Sequence, residues 1–180
     1  QKYHAHVGKV SKGRIAVGDR MNCQVSSSLR RDTAGNHSAT HLLHAALRKI
    51  LGQHVLQKGS LVDADRLRFD FSHGKSVSRE ELHAIENLVN EQIRANAPVE
   101  TKTMPYTRAI ESGAMALFGE KYADPSSVYS VIDTASGEII SREFCGGPHV
   151  EHTAQIGYTF KIIKEEAVSA GTRRIKAFIE

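Results

Sequence analysis

Three histidines stand at positions 37, 41 and 44 in the stretch Asn36-His37-Ser38-Ala39-Thr40-His41-Leu42-Leu43-His44. On a helix, at about 100° per residue, they fall within roughly 60° of one another. Much later comes Cys145-Gly146-Gly147-Pro148-His149. A His-x3-His pair and a Cys-x3-His pair together offer three imidazole nitrogens and one sulfur. Tetrahedral Zn²⁺ takes this kind of donor set. Either pair alone reads more readily as something else, the first as a solvated helix face and the second as an inert buried thiol with a satisfied core histidine. Their combination points to a metal at His37, His41, Cys145 and His149, because the chain has only two cysteines and one of them lies here.

These residues need elements to hold them. Leu42, Leu43, Ala46, Leu47, Ile50 and Leu51 occupy another side of the same cylinder, so residues 31–51 are expected to be a helix with one apolar and one imidazole face, stopped by Gly52. Residues 54–62 read as a strand and turn. Leu67, Phe69 and Phe71 alternate with Arg68, Asp70 and Ser72, a half-buried strand. Ser78 and Glu81 form a capping box for a helix carrying Leu82, Ile85, Leu88, Val89 and Ile93, which Pro98 ends. A short strand (99–103), a helix (105–112), and a short helix and loop (114–122) follow. Residues 127–133 and 138–144 flank Thr134-Ala135-Ser136-Gly137 as a hairpin, which delivers Cys145 onto a Gly-Gly-Pro turn. Two strands are expected at 156–164 and 174–179. Residues 1–30 read as short strands broken by glycine turns, too few to close a barrel, with Cys23 buried and His4 and His6 outward. The expected architecture is α+β: one mixed sheet packed with helices, preceded by a partial small β-barrel. The expected division is 1–30 and 31–180.

Composition narrows the class. The chain has 180 residues, 40% of them apolar, enough for one large domain or a medium domain with a small companion. No apolar run approaches membrane-spanning length, and no secretory leader is visible. Two cysteines in such different settings suggest cytosolic thiols and a cytoplasmic location. The net charge of +4 is a modest bias toward a polyanion such as nucleic acid.

Six segments together resemble the editing domain of alanyl-tRNA synthetase: 36–47, 57–62, 68–73, 113–122, Cys145-Gly146-Gly147-Pro148-His149 and Gly171-Thr172-Arg173-Arg174-Ile175. They come in the family's order and span most of the chain from Arg31 onward. The resemblance implies a domain that hydrolyses tRNA(Ala) wrongly charged with serine or glycine. It implies zinc at His37, His41, Cys145 and His149, and a pocket containing Thr40, Gln57 and Ser60. Gly146 and Gly147 would let the 3′ end approach. Residues 1–30 resemble the latter part of the barrel that precedes this domain, and the whole resembles an excised part of a longer synthetase. Pro148 stands where the alanyl family usually has threonine, and the threonyl-tRNA synthetase editing domain often has proline there. That domain is one alternative; a tRNA-binding module with a purely structural zinc is the other.

The chemistry suits these residues. An aminoacyl ester is already activated, so its hydrolysis needs positioning and charge stabilisation more than a strong nucleophile. Four donors fill a zinc shell. Either one yields to substrate or the metal mainly organises the site, and the second is the expectation. His44 is placed to support a ligand or to shuttle a proton. A site that hydrogen-bonds the serine hydroxyl rejects alanine, which would leave its own polar group unpaired. Gln57 and Thr40 are the side chains for that task. Arg173, Arg174 and Lys176, with Arg30, Arg31, Lys58 and Lys121, are the basic residues available to RNA.

Overall fold

The computed structural model describes residues 5–117 and 121–180. Phe118–Glu120, in the middle of the helix expected at 114–122, lie outside the described residues, as does His4.

Helix α1 (Ser27–Leu51) is the axis of the molecule. Ser26 caps its start by accepting from the Leu29 amide, and Gly52, at φ 118°, takes the left-handed-side conformation that stops it. Arg48 and Lys49 lie in the last turn, where the helix dipole favours cations. Its middle is buried on every side: Leu42, Leu43, Ala46 and Leu47, but also His41 and His44. An amphipathic helix would expose its polar face. Here protein covers that face as well, the first sign that the imidazoles are structural components.

Strands β1 (Gln57–Val62) and β2 (Leu67–Ser72) form a hairpin. Helix α2 (Arg79–Arg94) follows, with the expected Ser78/Glu81 capping box formed. Next come β3 (Val99–Met104), the short α3 (Tyr106–Glu111), β4 (Ser126–Ile132), β5 (Ile139–Phe144), a single 3-10 turn (Thr153–Ile156), β6 (Phe160–Ser169) and β7 (Thr172–Ile179). Met115 makes one parallel bridge to Glu143, and no helix forms at 114–117. The α+β class therefore holds. The single mixed sheet does not. Two wholly antiparallel sheets form, ordered β1-β2-β7-β6 and β3-β4-β5. Tight connections within β1–β2, β4–β5 and β6–β7 force antiparallel pairing, since a parallel pair needs a long crossover.

The core lies where α1 and α2 cover the four-stranded sheet. Leu67, Phe69 and Phe71 of β2 and Ile175 and Ala177 of β7 meet Leu42, Leu43 and Leu47 of α1 and Ile85 and Val89 of α2. Asn90 pins α2 to this sheet. Its amide nitrogen donates to the Glu86 and Phe160 carbonyls, and its oxygen accepts from the Phe160 amide. The three-stranded sheet lies on the other flank of α1, through β5.

The strands expected within residues 1–30 do not form among residues 5–26, which are exposed throughout and lie in no helix or strand. Among the described residues no strand lies beside them to pair with, and lone strands are unstable in water. Cys23 is accordingly exposed, not buried. The helix also begins at Ser27, earlier than the expected residue 31.

Gly35 marks the closest approach of α1 to the rest of the fold. A Cβ there would sit 2.7 Å from the Ile156 carbonyl oxygen, a backbone atom that cannot swing aside. Gly35→Ala is expected to lower stability by about 1–3 kcal/mol, the usual cost of overpacking. Urea denaturation checks it, and an unchanged midpoint removes the steric argument.

Candidate metal centre

His37 and His41 project from α1, and Cys145 and His149 from the turn after β5. One donor atom from each lies within 4.8 Å of all the others. The Cys145 sulfur is 3.4 Å from His37 Nε2 and 3.3 Å from His149 Nε2. The far nitrogen of each ring is held from outside. His37 Nδ1 donates to the Pro148 carbonyl at 3.0 Å, which puts a proton on Nδ1 and turns Nε2 toward the Cys145 sulfur. His149 Nδ1 bonds Ser38 Oγ at 3.2 Å. His41 Nδ1 lies 3.2 Å from Glu143 Oε2. His41 Nε2 is buried and has no hydrogen-bond partner among the described residues. Such a donor set is what a bound metal ion takes: soft sulfur, three inward Nε2 atoms and outer partners fixing each ring.

The electrostatics favour an ion at the sulfur and oppose one at His41 until its proton leaves. Burial pushes the Cys145 thiol up, but contacts with His149, His37 and His41 outweigh it and bring it down to about 3. The sulfur is a thiolate at neutral pH, the form that binds metal. Burial alone would push His41 down; the Glu143 carboxylate beside it prevails and raises it to about 10. Burial would raise Glu143 in turn, and the His41 charge holds it well below the usual carboxylate range.

The remaining candidates fall in different places. Thr40 is buried one step from His41, and its hydroxyl donates to the Asn36 carbonyl at 2.8 Å. Its oxygen can still accept. His44 is buried too, with Nδ1 3.2 Å from Glu143 Oε1. A bulge between Gln57 and Gly59 makes Gln57 oppose Phe71 while Ser60 opposes Phe69. Opposed residues share a face, so Gln57 and Ser60 both lie on the side of the sheet that α1 covers. Gln57 is half-buried and Ser60 exposed.

Gly147 is packed under the His37 ring: a Cβ would come within 2.1 Å of its Cε1. Gly146 has open space around it. Thus Gly147 is required for the His37 position, a role apart from flexibility. Arg173 and Arg174 are not free cations. Arg173 forks onto Glu165 at 2.5 and 2.7 Å, and Arg174 onto Asp70 at 2.7 and 2.7 Å. Any RNA contact by either has to share or break such a pair.

Sequence reasoning missed Glu143, Tyr129 and Ser38, all buried against the histidines. A signal existed for the first. Ser141, Glu143 and Cys145 alternate, so all three turn toward the face that carries the donor.

A second imidazole pair closes the far end of the four-stranded sheet. His54 Nε2 and His73 Nδ1 are 2.8 Å apart, and the rings stack. Burial, followed by His54, lowers His73 below its ordinary 6.5; Glu81 and Glu165 oppose this and Lys75 adds to it. The folded state therefore takes up this proton less readily than the unfolded chain. The stability from neutral His73 is complete above 6.5 and drains away as pH falls below that value. Urea midpoints at pH 7.5 and 5.0 are expected to fall more for the wild type than for His73→Gln. Equal falls overturn the assignment.

Residues 126–176 match the family described as the threonyl and alanyl tRNA synthetase second additional domain. That span runs from β4 into β7 and includes Cys145 and His149. The whole chain is similar to longer proteins. It is 55% identical over 176 residues to the alanine–tRNA ligase of Nitrosomonas eutropha, covering 98% of this chain and 20% of that protein. The alanine–tRNA ligase of Saccharophagus degradans is 55% identical over 174 residues, 97% of this chain and 19% of the relative. That of Stenotrophomonas maltophilia is 53% identical over 176 residues, again 19% of the relative. The chain is similar along nearly its whole length to a stretch of alanine–tRNA ligases, and over residues 126–176 to the threonyl and alanyl tRNA synthetase second additional domain. It spans about a fifth of the length of these synthetases. Among the described residues no helix is long and apolar enough to cross a membrane.

Proposed function

We propose that this chain is the editing domain of an alanyl-tRNA synthetase, a cytoplasmic deacylase that hydrolyses the ester of serine or glycine on tRNA(Ala). One observation carries the reading: a thiolate and three inward imidazoles converge in a chain about 55% identical, over nearly its whole length, to an alanine–tRNA ligase. In this reading residues 1–30 belong to a preceding β-barrel and 31–180 to the editing unit.

His37, His41, Cys145 and His149 would hold the ion, and zinc suits their softness better than magnesium or calcium. When bound it supplies a fixed positive charge that orients the amine or terminal ribose of the substrate. The chain's own residues do the discrimination. Thr40 has committed its proton to the Asn36 carbonyl, so its oxygen can only accept, which suits a serine hydroxyl or an ammonium. Gln57 offers an amide donor and acceptor from the α1-facing side of β1. Pro148 does not disturb the site, because the His37 contact is to its backbone carbonyl and any residue there supplies one.

The test is a deacylation assay with serine, glycine and alanine esters of tRNA(Ala), and serine on tRNA(Thr), at saturating protein with and without zinc. Serine and glycine on tRNA(Ala) are expected to be cleaved and alanine spared. Preference for Ser-tRNA(Thr) moves the chain to the threonyl branch, and no hydrolysis leaves a binding module. Gln57→Ala is expected to slow serine hydrolysis by about tenfold to a hundredfold, the cost of an unpaired buried polar group of about 1–3 kcal/mol, and to narrow the serine-to-alanine ratio. Unchanged rates on both esters remove Gln57 from the pocket.

A further inference from the structure

His41 differs from the other donors in what lies behind it. Strands β4 and β5 pair so that Tyr129 and Glu143 stand directly opposite each other, on one face of the three-stranded sheet. Residues paired this way project to the same side. Both are buried, and both meet His41. The Tyr129 ring stacks on the His41 ring at a centroid distance of 4.4 Å and 28° between planes. It also lies 4.2 Å from the His149 ring. Glu143 Oε2 faces His41 Nδ1 at 3.2 Å, while Oε1 takes His44 Nδ1 at 3.2 Å and the Ser141 hydroxyl at 3.0 Å.

An imidazole on a helix keeps two freedoms that matter to a metal: the tilt of its plane, and which nitrogen points inward. Stacking removes the first, and a carboxylate on the far nitrogen removes the second. No hydrogen bond of ordinary geometry reaches the buried tyrosine hydroxyl among the described residues, although Ser38 faces it and opposes the rise in its pKa that burial causes; the face of the ring is what meets His41 and His149.

We infer that the Tyr129–Glu143 cross-strand pair is a positioning device, which sets the ring plane and tautomer of His41 and, through Tyr129, the plane of His149. The inference rests on the metal reading above. It adds two residues that touch neither substrate nor ion. Glu143 also ties His44 into the same support, which places His44 behind the donors.

The experiment is a cobalt(II) titration of the 180-residue chain, following the thiolate charge-transfer and d–d bands, with zinc affinity read by chelator competition. The variants are Tyr129→Phe, Tyr129→Leu and Glu143→Gln. Tyr129→Phe keeps the ring and is expected to match the wild type in affinity and spectrum. Tyr129→Leu removes the stacking platform, and Glu143→Gln offers one acceptor where two imidazole donors need two. Each is expected to weaken metal binding by about 10- to 100-fold, the range for outer-sphere partners, and to shift the d–d bands. Urea denaturation in chelator confirms that each variant is folded. If Tyr129→Leu does not fold, the near-isosteric Glu143→Gln carries the test. Wild-type affinity and spectrum in Glu143→Gln and Tyr129→Leu overturn this inference alone. A wild-type chain that takes up no cobalt overturns the metal reading and this inference with it.

Discussion

Replacing Cys145 by alanine is expected to reduce bound zinc from one ion per chain to a small fraction of that, and to reduce deacylation in proportion. Three donors would remain. The lost one is the sole sulfur, and its thiol is already held as thiolate by the surrounding imidazoles. Loss of an outer partner costs about 10- to 100-fold in affinity, and loss of a direct ligand should exceed that. Uptake in the wild type should also strengthen as pH rises, because His41 is held protonated beside Glu143 and that proton must leave when an ion arrives. Metal analysis after dialysis against a weak chelator decides the matter. Stoichiometric zinc in Cys145→Ala would remove the cysteine from the ligand set.

Phe69→Ala is expected to be the most destabilising single truncation in the core. Phe69 is completely buried at the centre of the four-stranded sheet. Its ring lies 6.2 Å from Phe71 and 5.2 Å from the His44 ring, so it joins the apolar core to the back of the metal centre. Removing a buried phenyl costs about 3–5 kcal/mol, because the cavity adds to the lost transfer energy. For a domain of this size that corresponds to a fall of about 6–20 °C in Tm. A loss below about 1 kcal/mol would mean that the site collapses freely, contrary to a core clamped between α1, α2 and β7.

Much of this arrangement is legible in the sequence, and the parts that are share a property. The Ser78/Glu81 box, the Leu67-Phe69-Phe71 alternation and the 37/41/44 spacing depend only on neighbours a few residues away. Local sterics decide them, so local reading finds them. The failures concern partners. The β-rich pattern of the first 30 residues could not reveal that no strand among the described residues stands beside residues 5–26 to pair with. Arg173 and Arg174 read as a basic cluster because the carboxylates that occupy them sit on other strands. Asp70, the partner of Arg174, is 104 positions away. Glu143 was missed for a related reason: an acidic residue in an alternating strand reads as a solvent face until the helix lying on that face is known.

The place of β7 has a consequence for how the chain is made. Of the strands it is the last in sequence, yet it is interior, with β2 on one side and β6 on the other. A ribosome delivers α1 and β2 long before the strand that completes their sheet. Until residues 172–179 emerge, β2 keeps one unpaired edge, and the leucines of α1 lack the cover of Ile175 and Ala177. Between the emergence of β2 and that of β7, about a hundred residues later in the chain, the layer is half-finished and sticky. The β2–β7 pairing joins residues about a hundred positions apart, and pairings this distant in sequence form slowly.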